Sequence, residues 1–313
     1  MEKMTARSLS VAIVVSLLAI PTVSYSWGWG THAYFANHFG ALIGAKNQQE
    51  TYGAILPDVD EFMESYSELA TMFYLTHYSY PLFVQEAGNI LPRVGTGFCS
   101  HNEEGMADYT AHVRNLTLDR SDHRGYVVIK AERLMSRKAG AFGSLRLLFP
   151  PEFQSIASEI AEVVAHSAIE EAVDLWLKRK QDPLWPVRLY LSSSFRDPRI
   201  PEILVAAYGP YLPADDIRNA EALFREAAVG YAALFLLPEP TVIEAMVQAG
   251  ARQLAGYVLI LSGGQFTLDP DDPNLQALLG EILAGAIDEV RPDYIHEVQA
   301  TNWRIRQRIG QCR

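Results

Sequence analysis

Cysteine is scarce in this sequence: Cys99 and Cys312 are the only two among 313 residues. That excludes a small domain stapled by several disulfides. The two thiols are expected to stay apart, with a single bridge as the lesser alternative. A basic surplus is also missing, since 26 Lys and Arg stand against 37 Asp and Glu for a formal net charge of −11. This argues against a strongly basic nucleic-acid-binding surface. No apolar run reaches the roughly 20 residues that span a bilayer, and the polar, basic stretch Trp303-Arg304-Ile305-Arg306-Gln307-Arg308 does not resemble a GPI-type tail. Gly-x-Ser-x-Gly and Walker sequences are absent, as are internal repeats, and strict alternation of apolar and polar residues is rare.

What is present is globular composition, 49% hydrophobic and 20% charged. Residues 1–26 read as a secretory signal, with Lys3 and Arg7, an apolar run from Val11 to Ile20, Pro21 and a small-residue end at Ser24-Tyr25-Ser26. The protein is therefore expected to be exported, periplasmic or extracellular. Loss of Glu2, Lys3 and Arg7 with that leader leaves 24 basic and 36 acidic residues, a charge of −12. No cysteine follows the apolar run, so a lipoprotein anchor is not indicated.

Helical periodicity recurs at Ala33 to Leu42, Glu61 to Thr76, Met106 to Asn115, Tyr126 to Arg137, Glu152 to Lys178, Ala214 to Leu237, Thr241 to Leu261, Leu275 to Val290 and Tyr294 to Ile309. Breaks are expected at Gly95 to Gly97, Pro150-Pro151, Asp197-Pro198, Pro210 to Pro213, Pro238 to Pro240 and Gly263-Gly264. The pattern predicts an all-α, compact multi-helix fold. Seven of eight histidines precede residue 167, which assigns the chemistry to residues 27–180 and leaves 181–313 as helices packing on that core.

Four places carry ligand-type residues. On the helix expected at Glu152 to Lys178, His166 and Glu170 fall on the stripe of Ile156, Val163, Val173 and Leu177, the face that should be buried. Spacing of four suits a metal clamp, and the alternative is a surface pair helped by Glu159 and Glu162. In the block from Ser100 to His112, His101 precedes Gly105, and Asp108 and His112 sit four apart; the alternative is an acidic first turn with solvated histidines. In Gly53-Ala54-Ile55-Leu56-Pro57-Asp58, Asp58 faces a metal or, with Glu61, forms a capping box. His77 by itself says little. Cleavage after Ser26 would leave Trp27-Gly28-Trp29-Gly30-Thr31-His32 as the start, with an α-amine that can chelate a metal together with its own carbonyl.

Taken in order, these blocks resemble the zinc-dependent phospholipase C and S1/P1 nuclease superfamily. Trp27-Gly28-x-x-x-His32 is similar to its N-terminal Trp and first His in the spacing of the nuclease branch, and Gly53 to Asp58 to its G-x-x-x-x-D segment. Thr76-His77-Tyr78 resembles its next histidine, and His166-x3-Glu170 its closing pair. One block departs from the pattern: the family's His-x3-Asp-x5-His is here His101-x6-Asp108-x3-His112, with Glu104 as an alternative carboxylate.

The resemblance implies up to three zinc ions. His77, His101, Asp58 and Asp108 would hold one, and Asp108 would bridge to a second bound by Trp27 and His32. His112, His166 and Glu170 would hold the third. His38, His123 and His296 are left as expected non-ligands. The implied reaction is metal-assisted phosphodiester hydrolysis, with Asp58 orienting the attacking water or acting as its base. The preferred substrate is a phospholipid, reached by transient contact with a membrane surface, and no protein partner is inferred. A single-strand nuclease is the alternative, needing an aromatic slot from among Tyr34, Phe62, Tyr66, Tyr78 and Trp176. A non-catalytic exported module with structural zinc or none is the third.

Overall fold

A computed structural model of the chain describes residues 27–39, 45–119 and 121–312, and these are all-α, with no strand among them. The expected signal at 1–26 and the end of the helix expected to reach Leu42 lie outside the described residues. The helices are α1 (Trp29–Phe39), α2 (Ala45–Ile55), α3 (Tyr66–His77), α4 (Pro81–Gly88), α5 (Pro92–His101), α6 (Tyr126–Arg137), α7 (Ala139–Leu147) and α8 (Gln154–Lys180). They continue as α9 (Trp185–Ser194), α10 (Ile200–Tyr208), α11 (Ala214–Phe235), α12 (Glu239–Leu261), α13 (Pro273–Val290) and α14 (Tyr294–Arg308). Tight 3-10 turns at Leu56–Phe62, Pro151–Phe153 and Ile309–Cys312, and a π turn at Tyr109–Val113, interrupt the series. No helix of the described residues is long and apolar enough to cross a membrane. One hydrophobic core runs from Trp27 to Cys312, so the later helices pack on the same interior as the earlier ones.

Three expectations are corrected. Gly95 to Gly97 is not a break but the middle of α5. A Cβ on Gly97 would lie 2.2 Å from the Glu50 carbonyl oxygen of α2, and one on Gly53 of α2 would lie 2.2 Å from that of Val94. These glycines let two helix backbones touch, so their cost in helix propensity is outweighed by packing. The Asp58 and Glu61 capping box does not form, because both residues lie within the 3-10 turn. The box belongs to Ser65 and Glu68, where each side chain meets the other's backbone N–H and starts α3. Finally, Cys99 and Cys312 are joined in a disulfide, their Cα atoms 6.1 Å apart across a separation of 213 residues. The last 3-10 turn folds back on α5, a proximity that no local spacing announces.

The helix expected over Met106 to Asn115 shrinks to the π turn, while α2, α4, α5, α7, α9 and α10 were not expected. They are short and rich in Gly, Pro or polar residues, and they owe their existence to tertiary packing more than to periodicity.

Candidate metal centre

The expected ligands come together at changes in the chain's course. His32 lies in the first turn of α1, and Asp58 lies in the 3-10 turn after α2. His77 and His101 are the last residues of α3 and α5. Helix C-termini carry partial negative charge, so both imidazoles stand where a cation is favoured. His112 lies in the π turn, and His166 and Glu170 lie one turn apart on α8. Three sets of donor atoms converge within 4.8 Å: His32, His101 and Asp108; Asp58, His77 and His101; and His112, His166 and Glu170.

In the first two sets Asp108 is wholly buried, and its two oxygens face different partners. Oδ1 lies 3.3 Å from His32 Nε2, whereas Oδ2 lies 2.8 Å from His101 Nε2 and 3.6 Å from His77 Nε2. That is the disposition of a bridging carboxylate. Glu104, the alternative, is exposed. Asp58 Oδ1 approaches His101 Nε2 at 3.3 Å and His77 Nε2 at 3.8 Å, while its Oδ2 accepts the Trp29 indole N–H at 2.8 Å.

The donor set suits a metal in a specific way. His101 Nδ1 donates to the Ala54 carbonyl at 2.8 Å and His77 Nδ1 to that of Phe73 at 3.1 Å. Carbonyls only accept, so each Nε2 of a neutral ring turns a lone pair inward. His101 Nε2 and both Asp108 oxygens are buried and face one another and the neighbouring imidazoles and Asp58. Lone pairs gathered on one point repel unless a cation lies between them.

The third set repeats the logic. His112 Nδ1 is 2.5 Å from Glu103 Oε1, its Nε2 is 3.2 Å from His166 Nε2, and His166 Nε2 is 3.1 Å from Glu170 Oε1. Ligands on tetrahedral zinc, with bonds near 2.0–2.1 Å, lie about 3.3 Å apart. His112, His166 and Glu170 would hold such an ion with three side chains, and of these His112 is the partly exposed one.

Burial disfavours charge on His101 and His77, but the carboxylates beside them prevail and raise both above the usual imidazole value. Burial would raise Asp58, yet the neighbouring histidines, His101 foremost, hold it at about 2, and Asp108 is depressed further for the same reason. Burial foremost, with the neighbouring His112 as a further cause, lowers His166, which leaves a neutral imidazole ready to donate its lone pair.

The structure places Trp27 beside this centre without adding its side chain to it. The buried indole N–H donates to the Ala107 carbonyl and to Thr110 Oγ1, both 3.0 Å away, tying Trp27 to the segment that carries Asp108. His38, His123 and His296 join none of the sets. Glu159 and Glu162 are exposed and leave the buried His166 and Glu170 to each other.

Sequence reasoning missed the supports. Glu103 stood unremarked inside a block already suspected, and Trp29 inside the Trp-Gly-Trp-Gly start. Asp174, one turn beyond Glu170, accepts from Gly30 N, Thr31 N and Thr31 Oγ1 at 2.6–2.7 Å and from the Tyr231 hydroxyl at 2.8 Å. It thereby caps the helix that carries His32. A third acid on the His166 and Glu170 stripe was the available signal. Comparison with family models, curated proteins and solved structures finds no match for this chain.

Proposed function

We propose that the protein is an exported zinc-dependent phosphodiester hydrolase, phospholipase C-like in its substrate. The observation that carries this reading is the convergence of imidazoles and carboxylates, with no thiolate, in sets that share His101 and are spanned by Asp108. His32, Asp58, His77, His101, Asp108, His112, His166 and Glu170 would hold the metal, with the Trp27 amine and carbonyl completing the second position. Bound zinc would supply Lewis acidity towards phosphoryl oxygens and make water acidic enough to serve as a nucleophile near neutral pH.

The chain's own residues set the geometry. Trp29 fixes one oxygen of Asp58, so the other stays aimed at the centre. The neighbouring histidines keep the Asp58 carboxylate ionised, so it would serve to orient the nucleophile or to act as its base. Ala54, Phe73 and Glu103 lock the imidazole tautomers, a preorganisation that fixes donor directions before substrate arrives.

One observation favours the nuclease reading as second. Tyr66, Tyr74 and Tyr78 are exposed along and just beyond α3, and Tyr74 and Tyr78 stack with ring centroids 5.8 Å apart. Burial, then the negative charges of Glu103, Asp108 and Glu104, raise the Tyr78 phenol above its usual value. Tyr34 and Phe62 are buried, and Trp176 gives its indole N–H to the Ile287 carbonyl, so these three offer no slot.

The test is zinc analysis of the chain beginning at Trp27, followed by a panel of dispersed phospholipids and single-stranded polynucleotides. Two to three zinc ions and release of phosphorylated head groups are expected. Less than one zinc per chain in protein never exposed to chelator overturns the reading, and turnover of polynucleotide alone transfers it to the nuclease. A chain with Gly-Ser ahead of Trp27 should lose one zinc, because an amide nitrogen is a poor donor.

A further inference from the structure

We propose that the outward face of α14, centred on Trp303 and edged by Arg304, Arg306 and Arg308, is the surface on which this protein docks to an anionic phospholipid bilayer. The inference rests on the phospholipid reading of the metal centre. At 100° per residue, Arg306, Trp303, Gln307, Arg304 and Arg308 follow one another around an arc of about 200°, while Val298, Ile305 and Ile309 lie on the buried side. Trp303 is 65% exposed. No acidic residue occurs from Val298 to Arg313.

In a chain with net charge −11, a cationic surface must be local, and here it lacks internal neutralisation. Arg93, Arg124, Arg179 and Arg218 each pair with carboxylates. Among the described residues, no such ion pair is formed by Arg304, Arg306 or Arg308. Their guanidiniums are instead steadied by neutral groups. Arg304 Nε donates to the Gly105 carbonyl at 2.8 Å and lies over the Tyr109 ring at 4.5 Å, and Arg306 Nε donates to the His38 carbonyl at 2.7 Å. The Arg308 guanidinium lies so close over Gly105 that a Cβ there would meet it at 3.0 Å. Positive charge held by carbonyls and an aromatic face remains available to an outside anion.

Position gives the face its use. Gly105 and Tyr109 flank Met106 to Asp108, so these arginines border the loop between two ligands of the centre. A convex helix ridge with an exposed tryptophan among arginines matches a planar headgroup layer, where indole rings and cationic side chains settle together. A polynucleotide strand is tracked by a groove, which a ridge does not provide.

The experiment is co-sedimentation of the zinc-loaded chain beginning at Trp27 with vesicles of phosphatidylglycerol or of phosphatidylcholine, scored as bound protein irrespective of turnover. Wild type should partition far more onto phosphatidylglycerol, less so as salt is raised. Arg304→Gln and Arg306→Gln should each weaken that partition about fivefold, as expected for one cation near an anionic surface. Arg306→Lys should retain it, and Trp303→Ala should weaken binding severalfold on either vesicle. Circular dichroism and zinc content report whether each variant is folded. Equal partition of wild type onto both lipids, or unchanged binding by folded glutamine variants, overturns the proposal. Retention of single-stranded DNA by these arginines with no vesicle binding overturns it as well. Head-group release from dispersed lipid without vesicle docking removes only this surface, whereas docking without hydrolysis of any phosphodiester removes only the enzymatic reading.

Discussion

Between Trp27 and Lys180 most ligand-type side chains sit where a helix starts, stops or changes pitch, whereas α11 to α14 run as regular helices of 22, 23, 18 and 15 residues that supply none of them. The later helices serve the centre from behind. Tyr231 holds Asp174, Thr301 meets Thr110 at 2.8 Å, and Glu297 takes the backbone N–H groups of Leu116 and Thr117 at 2.7 and 2.8 Å. Irregular backbone can aim single side chains at a point, but it carries unpaired polar groups that need outside partners. Regular helices bury apolar area and provide those partners.

The sharpest way to break this division is to alter the residue on which the first two ligand sets depend. Asp108→Asn should lower turnover by about three orders of magnitude or more, because one oxygen of a bridging pair no longer carries charge and several kcal/mol of transition-state stabilisation are lost. Glu104→Gln and His123→Ala, both at exposed positions, should stay within about twofold. Zinc content measured beside turnover separates lost metal from misplaced metal. A crippled Glu104→Gln with a fully active Asp108→Asn would exchange their roles.

The disulfide joins the two regions, Cys99 lying two residues before His101 and Cys312 near the end of the chain. Closing a loop of 213 residues stabilises by about 5 kcal/mol at the chain-entropy limit, with 2–4 kcal/mol typical. Replacing both cysteines by serine should lower the urea midpoint accordingly while most helicity is retained. A loss of unfolding free energy under about 0.5 kcal/mol would mean that packing alone docks the last turn. Gly97→Ala tests the α2 and α5 crossing on which His101 depends. A Cβ 2.2 Å from the Glu50 carbonyl forces the helices apart at about 1–3 kcal/mol, and zinc affinity should fall with stability, because the Ala54 carbonyl moves away from His101.

How much of this was legible follows the same division. The long amphipathic helices and the burial of His166 with Glu170 are visible in a 3.6-residue period, since a face packed along its whole length leaves a repeated mark. Asp58 and His77 stood out only through their order in a resemblance. The α5 glycines were read as a break because a close backbone crossing and a turn both favour glycine, and only the partner helix distinguishes them. Glu103 and Asp174 were overlooked because a carboxylate's duty is set by what comes to it from elsewhere in the fold. Glu103→Gln sharpens the point: weakening the orienting bond to His112 should reduce metal affinity at the His112, His166 and Glu170 set about 10- to 100-fold and leave the other two sets unchanged. Metal titration with a chromophoric chelator would show it, and three unchanged affinities would make Glu103 a bystander.

The smallest expected effect concerns Asp174, where the two regions meet through Tyr231. Burial pushes this carboxyl up to about 6 from an ordinary 3.8, against the pull of Thr31, Tyr231 and the Gly30 and Thr31 amides. Between about pH 4 and pH 6 the folded state therefore holds a proton that the unfolded chain has released, so this group's contribution to stability falls as pH rises through that window and is level above it. Asparagine has no proton to release and keeps one oxygen for the amides of α1, so Asp174→Asn should cost about 1 kcal/mol, the scale of a weakened cap. The cost should be greatest near pH 4, shrink as pH rises and change sign towards pH 6, because the rise of the carboxyl from 3.8 to about 6 outweighs it. Urea unfolding of both proteins at intervals across that range gives the difference, in which zinc release common to the two cancels. If the difference grows with pH instead, the donors outweigh burial, the folded carboxyl lies below its unfolded value, and Asp174 acts as an ionised cap whose stabilisation is lost in acid.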